Sequence, residues 1–432
     1  MSDDMNDETH DDMNDALTNS DVNEAGEDAI EAALAEIEAA RAAMPEDVDG
    51  AVARVLAQVD VLIDEGEPGE AFDALIEAGE WQGGSGNPTA ALETFERARD
   101  LAIDGGAPQP VAHALDRMAA CHWELGQLAR TEHLLREALA IREAGSDGSA
   151  LARARYRLGW RIAVDCSSTS RFDEALNLLG RARDGAEEHG LALMVAECDE
   201  KASWVLGARG DVADAVTLLR KSIAVMKACG ETGRVETVRA NLANQLVTLG
   251  ELEEAEFQFR TAWESSRDRG MPNALIAARL AGVMTGSGRE VDAHRLLDEV
   301  EPHLSHGDRG ERAYFDLVRA RTYRALGMRV SARESAERAL RHLRGALLPT
   351  SHAEALEVLA GCLADDADQG GPEAAELRHR SGVILGEALA LYVFADEMTS
   401  ASRLAGAMIP SPPSDADDLD PDPTPVSTGV YL

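Results

Sequence analysis

His303 and His306 stand three apart with Glu301 and Asp308 beside them, a spacing that could offer a metal ion two imidazoles and a carboxylate. Two histidines without a third fixed ligand make a weak site, and a solvated loop is the better reading of this stretch. Gly282–Gly288 reads GVMTGSG. A phosphate-cradling loop needs a strand before it and a lysine within it, and both are missing, so these glycines read as a loose turn. The chain has no G-x-x-x-x-G-K-[ST], no H-E-x-x-H and no G-x-S-x-G, so no nucleotide, zinc-hydrolase or serine-hydrolase chemistry is expected. The many Glu and Asp pairs read as solvated helix faces rather than acid–base dyads. No catalytic residue, cofactor or metal is expected from the sequence, and the reading is of a protein that is not an enzyme.

Composition points the same way. The 432 residues are 45% hydrophobic and only 4% aromatic, and strong helix formers dominate. Net charge is −38, which opposes binding to nucleic-acid phosphates and to anionic membranes. The five cysteines, Cys121, Cys166, Cys198, Cys229 and Cys362, are scattered and form no C-x-x-C pair. Reduced thiols in a cytoplasmic protein follow from that pattern. The acidic start has no signal-peptide pattern, and no apolar run is long enough to cross a bilayer.

The elements that would position any site come from a repeat. Turn residues Gly86, Gly126, Ser170, Gly210, Gly250, Gly288 and Gly327 are separated by 40, 44, 40, 40, 38 and 39 residues. Seven before most of these turns is a small residue: Gly79, Ala119, Ser203, Ala243, Ala281 or Ala320. Five and twelve after it are mostly small residues, and nine after it usually a large apolar one, as in Ala91, Phe95 and Ala98 or Ala255, Phe259 and Ala262. Five, nine and twelve share one helix face. The pattern predicts paired helices, with small residues allowing close approach and large ones filling the gap.

The A-x3-F-x2-A runs and the pairs Leu242–Ala243 and Leu280–Ala281 resemble the tetratricopeptide repeat, with units of about 40 residues instead of 34. The resemblance implies an all-α, right-handed solenoid of stacked helix–turn–helix repeats. Its segments would be an acidic, mostly disordered stretch at 1–47, with a helix from Glu31 to Met44 ended by Pro45, and a capping helix at 48–71. Seven repeats would follow at 72–345, with a bulge at Cys166–Thr169. A degenerate repeat with capping helices would occupy 346–408, and a disordered Pro/Asp-rich tail 409–432.

In that family the first helix of each unit lines a concave groove. The resemblance places Arg117, Lys201, Asn241 and Arg279 at one equivalent groove position, Asn244 and Arg321 at another and Arg324 at a third. Allowing for the insertion, Arg153 and Arg157 also face inward. An adaptor or scaffold is implied, binding a protein or peptide partner that is acidic or ends in a free carboxylate, since the Arg fork matches a carboxylate. The alternative is a ligand- or peptide-sensing regulatory module of a bacterial system. These cations could equally pair with acids on neighbouring helices. Trp123, Trp160 and Trp204 fall on or beside this face, as core residues or as exposed anchors.

Overall fold

The computed structural model describes residues 24–44, 46–164, 171–304, 309–344, 348–394 and 398–408. The bulge at Cys166–Thr169, His306, most of the acidic N-terminal stretch and the 409–432 tail lie outside them. Among the described residues there are nineteen α-helices, one short 3-10 turn and no strand. The chain divides into two compact units, Met1–Leu249 and Gly250–Leu432.

The first unit holds α1 (Glu24–Ala43), α2 (Val48–Asp64), α3 (Pro68–Gly84), α4 (Pro88–Asp104), α5 (Pro108–Glu124) and α6 (Leu128–Ala144). It continues with α7 (Gly148–Val164), α8 (Phe172–Glu188), α9 (Ala192–Arg209), α10 (Val212–Ala228) and α11 (Thr232–Leu249). Helix α1 starts seven residues before the expected Glu31. From α2 to α8 every helix has 17 residues, about 25 Å of rise each. Each packs on the next.

Local chemistry sets this rhythm. Pro68, Pro88 and Pro108 occupy the first turns of α3, α4 and α5, where a missing N–H costs nothing. Helix α3 ends at Gly86, whose φ is +85°. There the Gly86 N–H donates to Gly83 O and the Asn87 N–H to Gln82 O, both at 2.9 Å, the αL closure that spares a side chain strain. The same closure occurs at Gly66, 20 residues before the first turn read from the sequence, and about midway between later ones at Gly106, Gly190, Gly230 and Gly270. Turns therefore recur about every 20 residues, two per repeat.

Pairing depends on the small residues. A Cβ placed on Gly79 of α3 would sit 2.5 Å from Phe95 Cε1 of α4, and Phe95 is 3% exposed. Gly159 of α7 is likewise closed in by Leu178 and Leu179 of α8. Ala119 and Ala243 are fully buried at the matching positions. One apolar cluster runs through the first unit from Ala33 to Leu179, with Val205 of α9 joining it.

The second unit contains α12 (Leu252–Asp268), α13 (Ala274–Gly286), α14 (Glu290–Val300), a 3-10 turn at Glu301–His303 and α15 (Arg309–Ala325). It ends with α16 (Arg329–Leu343), α17 (Pro349–Ala367), α18 (Ala374–Phe394) and α19 (Met398–Met408). The glycine-rich stretch is mostly helix here: α13 runs through Gly282 to Gly286, and only Gly288 turns, at φ +74°. No helix among the described residues is long and apolar enough to cross a membrane.

Candidate interaction face on the first helices

The first helix of each pair in the first unit is α3, α5, α7, α9 or α11, and their exposed sides are linked residue by residue. Arg117 of α5 pairs with Glu80 of α3 at 2.6 Å. Arg157 of α7 pairs with Asp116 of α5. Lys201 of α9 lies 3.2 Å from Glu200 and 4.7 Å from the centre of the Trp160 ring. Asn241 of α11 donates to Glu200 Oε1 at 3.4 Å, and Arg234 pairs with Glu197 of α9. Asn244, on the same helix, is half-buried.

The structure thus neutralises most of the cations read from the sequence. Arg153 is the exception in this unit: half-buried, it has no ion pair or hydrogen bond among the described residues. In the second unit Arg321 pairs with Glu354 at 3.4 Å, and Arg324 grips both oxygens of Asp365 at 2.5 and 3.0 Å. Arg279 stands 5.9 Å from the Tyr314 ring centre.

Below the face lies a buried polar knot. Asp116 Oδ2 accepts from Arg142 Nη2 at 2.6 Å and also from Arg157, while its Oδ1 has no partner. His113, one helical turn earlier, accepts from Arg117 Nε at 3.2 Å. Burial holds the His113 pKa down to about 3, and the guanidiniums of Arg117, Arg157 and Arg142 add to the effect. An imidazolium would have no water and three like charges nearby.

The aromatic residues form the other half of the face. Trp160 of α7 and Trp204 of α9 meet edge to face with ring centres 5.6 Å apart, and Trp204 is 41% exposed. The Arg161 guanidinium lies over Trp123 at 4.0 Å. Sequence reasoning had these tryptophans but not Tyr156, which is recognisable only once α7 and α9 are adjacent, nor the Arg234–Glu197 pair, whose members stand 37 residues apart. His303 closes the 3-10 turn. Among the described residues no group of three or more His, Cys, Asp or Glu could hold a metal ion.

A family model described as a tetratricopeptide repeat matches residues 111–145, which span most of α5 and all of α6. No curated protein matches the chain in sequence. Among solved structures, the apo form of RapI is similar over 63% of this chain and 97% of its own, at 11% identity and a TM-score of 0.51. Aspartyl phosphate phosphatase F from Bacillus subtilis is similar over 67% of this chain and 76% of its own, at 14% identity and a TM-score of 0.50. At such identities the likeness is one of fold. Residues 111–145 thus match a tetratricopeptide repeat, and the paired helices with small residues between them share that repeat's architecture along the described residues.

Proposed function

We propose that the chain is a non-enzymatic adaptor or scaffold, working in the cytoplasm, that binds a segment of a partner protein or a peptide across the exposed sides of α5, α7, α9 and α11. The observation that carries this reading is Trp204. A side chain of that size left 41% exposed, edge to face with Trp160, whose own ring lies under Lys201, is the kind of aromatic anchor that dominates binding energy in interfaces.

The paired cations around it set register and orientation more than affinity. Arg153 adds one uncompensated positive charge, which favours an acidic group on the bound segment. The −38 net charge disfavours nucleic acid and anionic membranes as partners.

The test is affinity capture from host lysate with the full chain, followed by titration of the captured partner against variants. Trp204→Ala is expected to weaken binding by at least tenfold, while Val330→Ala, an exposed change on α16, leaves it intact. Unchanged affinity in Trp204→Ala, with an unchanged melting temperature, would move the binding surface elsewhere.

A further inference from the structure

The first unit contains a cavity of about 500 Å³ between α7 and the first turn of α9, with Cys229, just past the end of α10, on its wall. That volume lies within the range of small-molecule sites. Its lining separates into two kinds of surface. Leu191, Leu193 and Met194 give an apolar wall, and Tyr156, Arg153 and Arg157 give a donor-rich one.

The charges here do not cancel. Glu197, which also reaches the cavity, is taken up by Arg234. Arg157 is taken up by Asp116. Arg153 is left with no acid against it among the described residues, and the half-buried Tyr156 hydroxyl has no hydrogen-bond partner there either. One free guanidinium fork, one free phenol and an apolar wall define what fits: an anion that is flat, accepts two hydrogen bonds and carries hydrocarbon. The first turn of α9, which has no side-chain cap, adds the positive end of a helix to the same wall.

We propose that this cavity binds a small organic carboxylate with a compact apolar body, its carboxylate on Arg153 and Tyr156 and its hydrocarbon on Leu191 and Met194. The carboxylate belongs either to a free acid or to the last residue of a peptide, and both present the same chemistry. The inference deepens the proposed partner site, whose α7 and α9 sides and Arg153 it shares, and it rests on the cavity and Arg153 and not on Trp204.

Cys229 is exposed and lines the cavity, so its alkylation reports occupancy. The experiment uses the purified full chain, N-ethylmaleimide, and mass spectrometry of the Cys229 peptide, with calorimetry in parallel. The probes are N-acetyl-leucine, N-acetyl-leucinamide, and a hexapeptide ending in leucine as acid and as amide. The expected result is that N-acetyl-leucine slows Cys229 alkylation several-fold and its amide does not, with affinity falling about tenfold or more in Arg153→Ala and less in Tyr156→Phe.

Protection by the acid hexapeptide alone would support the site and identify a chain terminus as the source of the carboxylate. Equal protection by acids and amides overturns the proposal. So does the absence of protection and of heat with both acids at millimolar concentration, or wild-type affinity in a folded Arg153→Ala. Loss of partner capture in Trp204→Ala bears on none of these readings.

Discussion

Arg157 reaches the same oxygen of Asp116 that Arg142 holds from the other side. The Asp116 side chain is only 2% exposed, so this carboxylate is the counter-ion of a buried cation and not a surface acid. A residue read from the sequence as part of a binding groove is therefore also part of the structure's interior.

Arg142 stays on Asp116 when Arg157 is changed, but Arg157→Glu places a second carboxylate against the buried one and is expected to destabilise the chain by about 2–3 kcal/mol. Arg153→Glu, one turn away and unpaired, should change stability by no more than about 0.5 kcal/mol. Urea unfolding compares them directly. Equal midpoints for the two variants would contradict the buried-pair account.

His113 links stability to pH. Its folded pKa, about 3, is depressed, while an unfolded histidine titrates near 6.5. Between those values the unfolded chain binds a proton that the folded chain refuses, so stability is present above about pH 6.5 and falls as pH drops. The loss from this one group is about 2 kcal/mol between pH 7 and pH 5. His113→Gln should lack that share of the slope. Identical pH profiles for the two proteins would refute the assignment.

Two glycines inside helices should respond in opposite directions to alanine. Gly79→Ala meets the Phe95 ring and is expected to cost about 1–2 kcal/mol net of the helix propensity gained. Gly180, in α8, has open space where the methyl would go. Gly180→Ala should gain up to about 1 kcal/mol. Thermal melts of the two variants moving the same way would be the wrong result.

The thiols should separate by depth. Burial pushes Cys121 and Cys362 up to about 11 and Cys198 up to about 12, and all three are buried. Cys229 is exposed. Brief alkylation of native protein at pH 7.5, read peptide by peptide, should label Cys229 and spare these three until denaturant is added. Early labelling of Cys198 would show that α9 opens far more readily than its packing implies.

The repeat was legible because each turn needs a residue that tolerates positive φ. Gly86, Gly126 and their counterparts announce themselves at intervals near 40. The second turn of each repeat was just as clearly written, since Gly66, Gly106, Gly190 and Gly230 each precede a recognised turn by 20. It stands out less because its surroundings vary: Gly66 and Gly106 are each followed two residues on by proline, and Gly190 and Gly230 are not.

The pairing of the face residues was not legible from any one helix. Arg117 finds Glu80, Arg157 finds Asp116 and Asn241 finds Glu200, partners 37, 41 and 41 residues away. Each lies about one repeat earlier, on the neighbouring first helix. Scanning for acids one period upstream would have shown that these cations were already engaged.

Helices that pack on their immediate successors, with a turn about every 20 residues, bear on how the chain is made. Almost every tertiary contact in the first unit becomes available as soon as the next helix has been synthesised. Nothing there has to wait for a distant strand or a closing C-terminal element. The first unit can therefore assemble pair by pair behind the ribosome, each emerging helix covering the apolar side of the last.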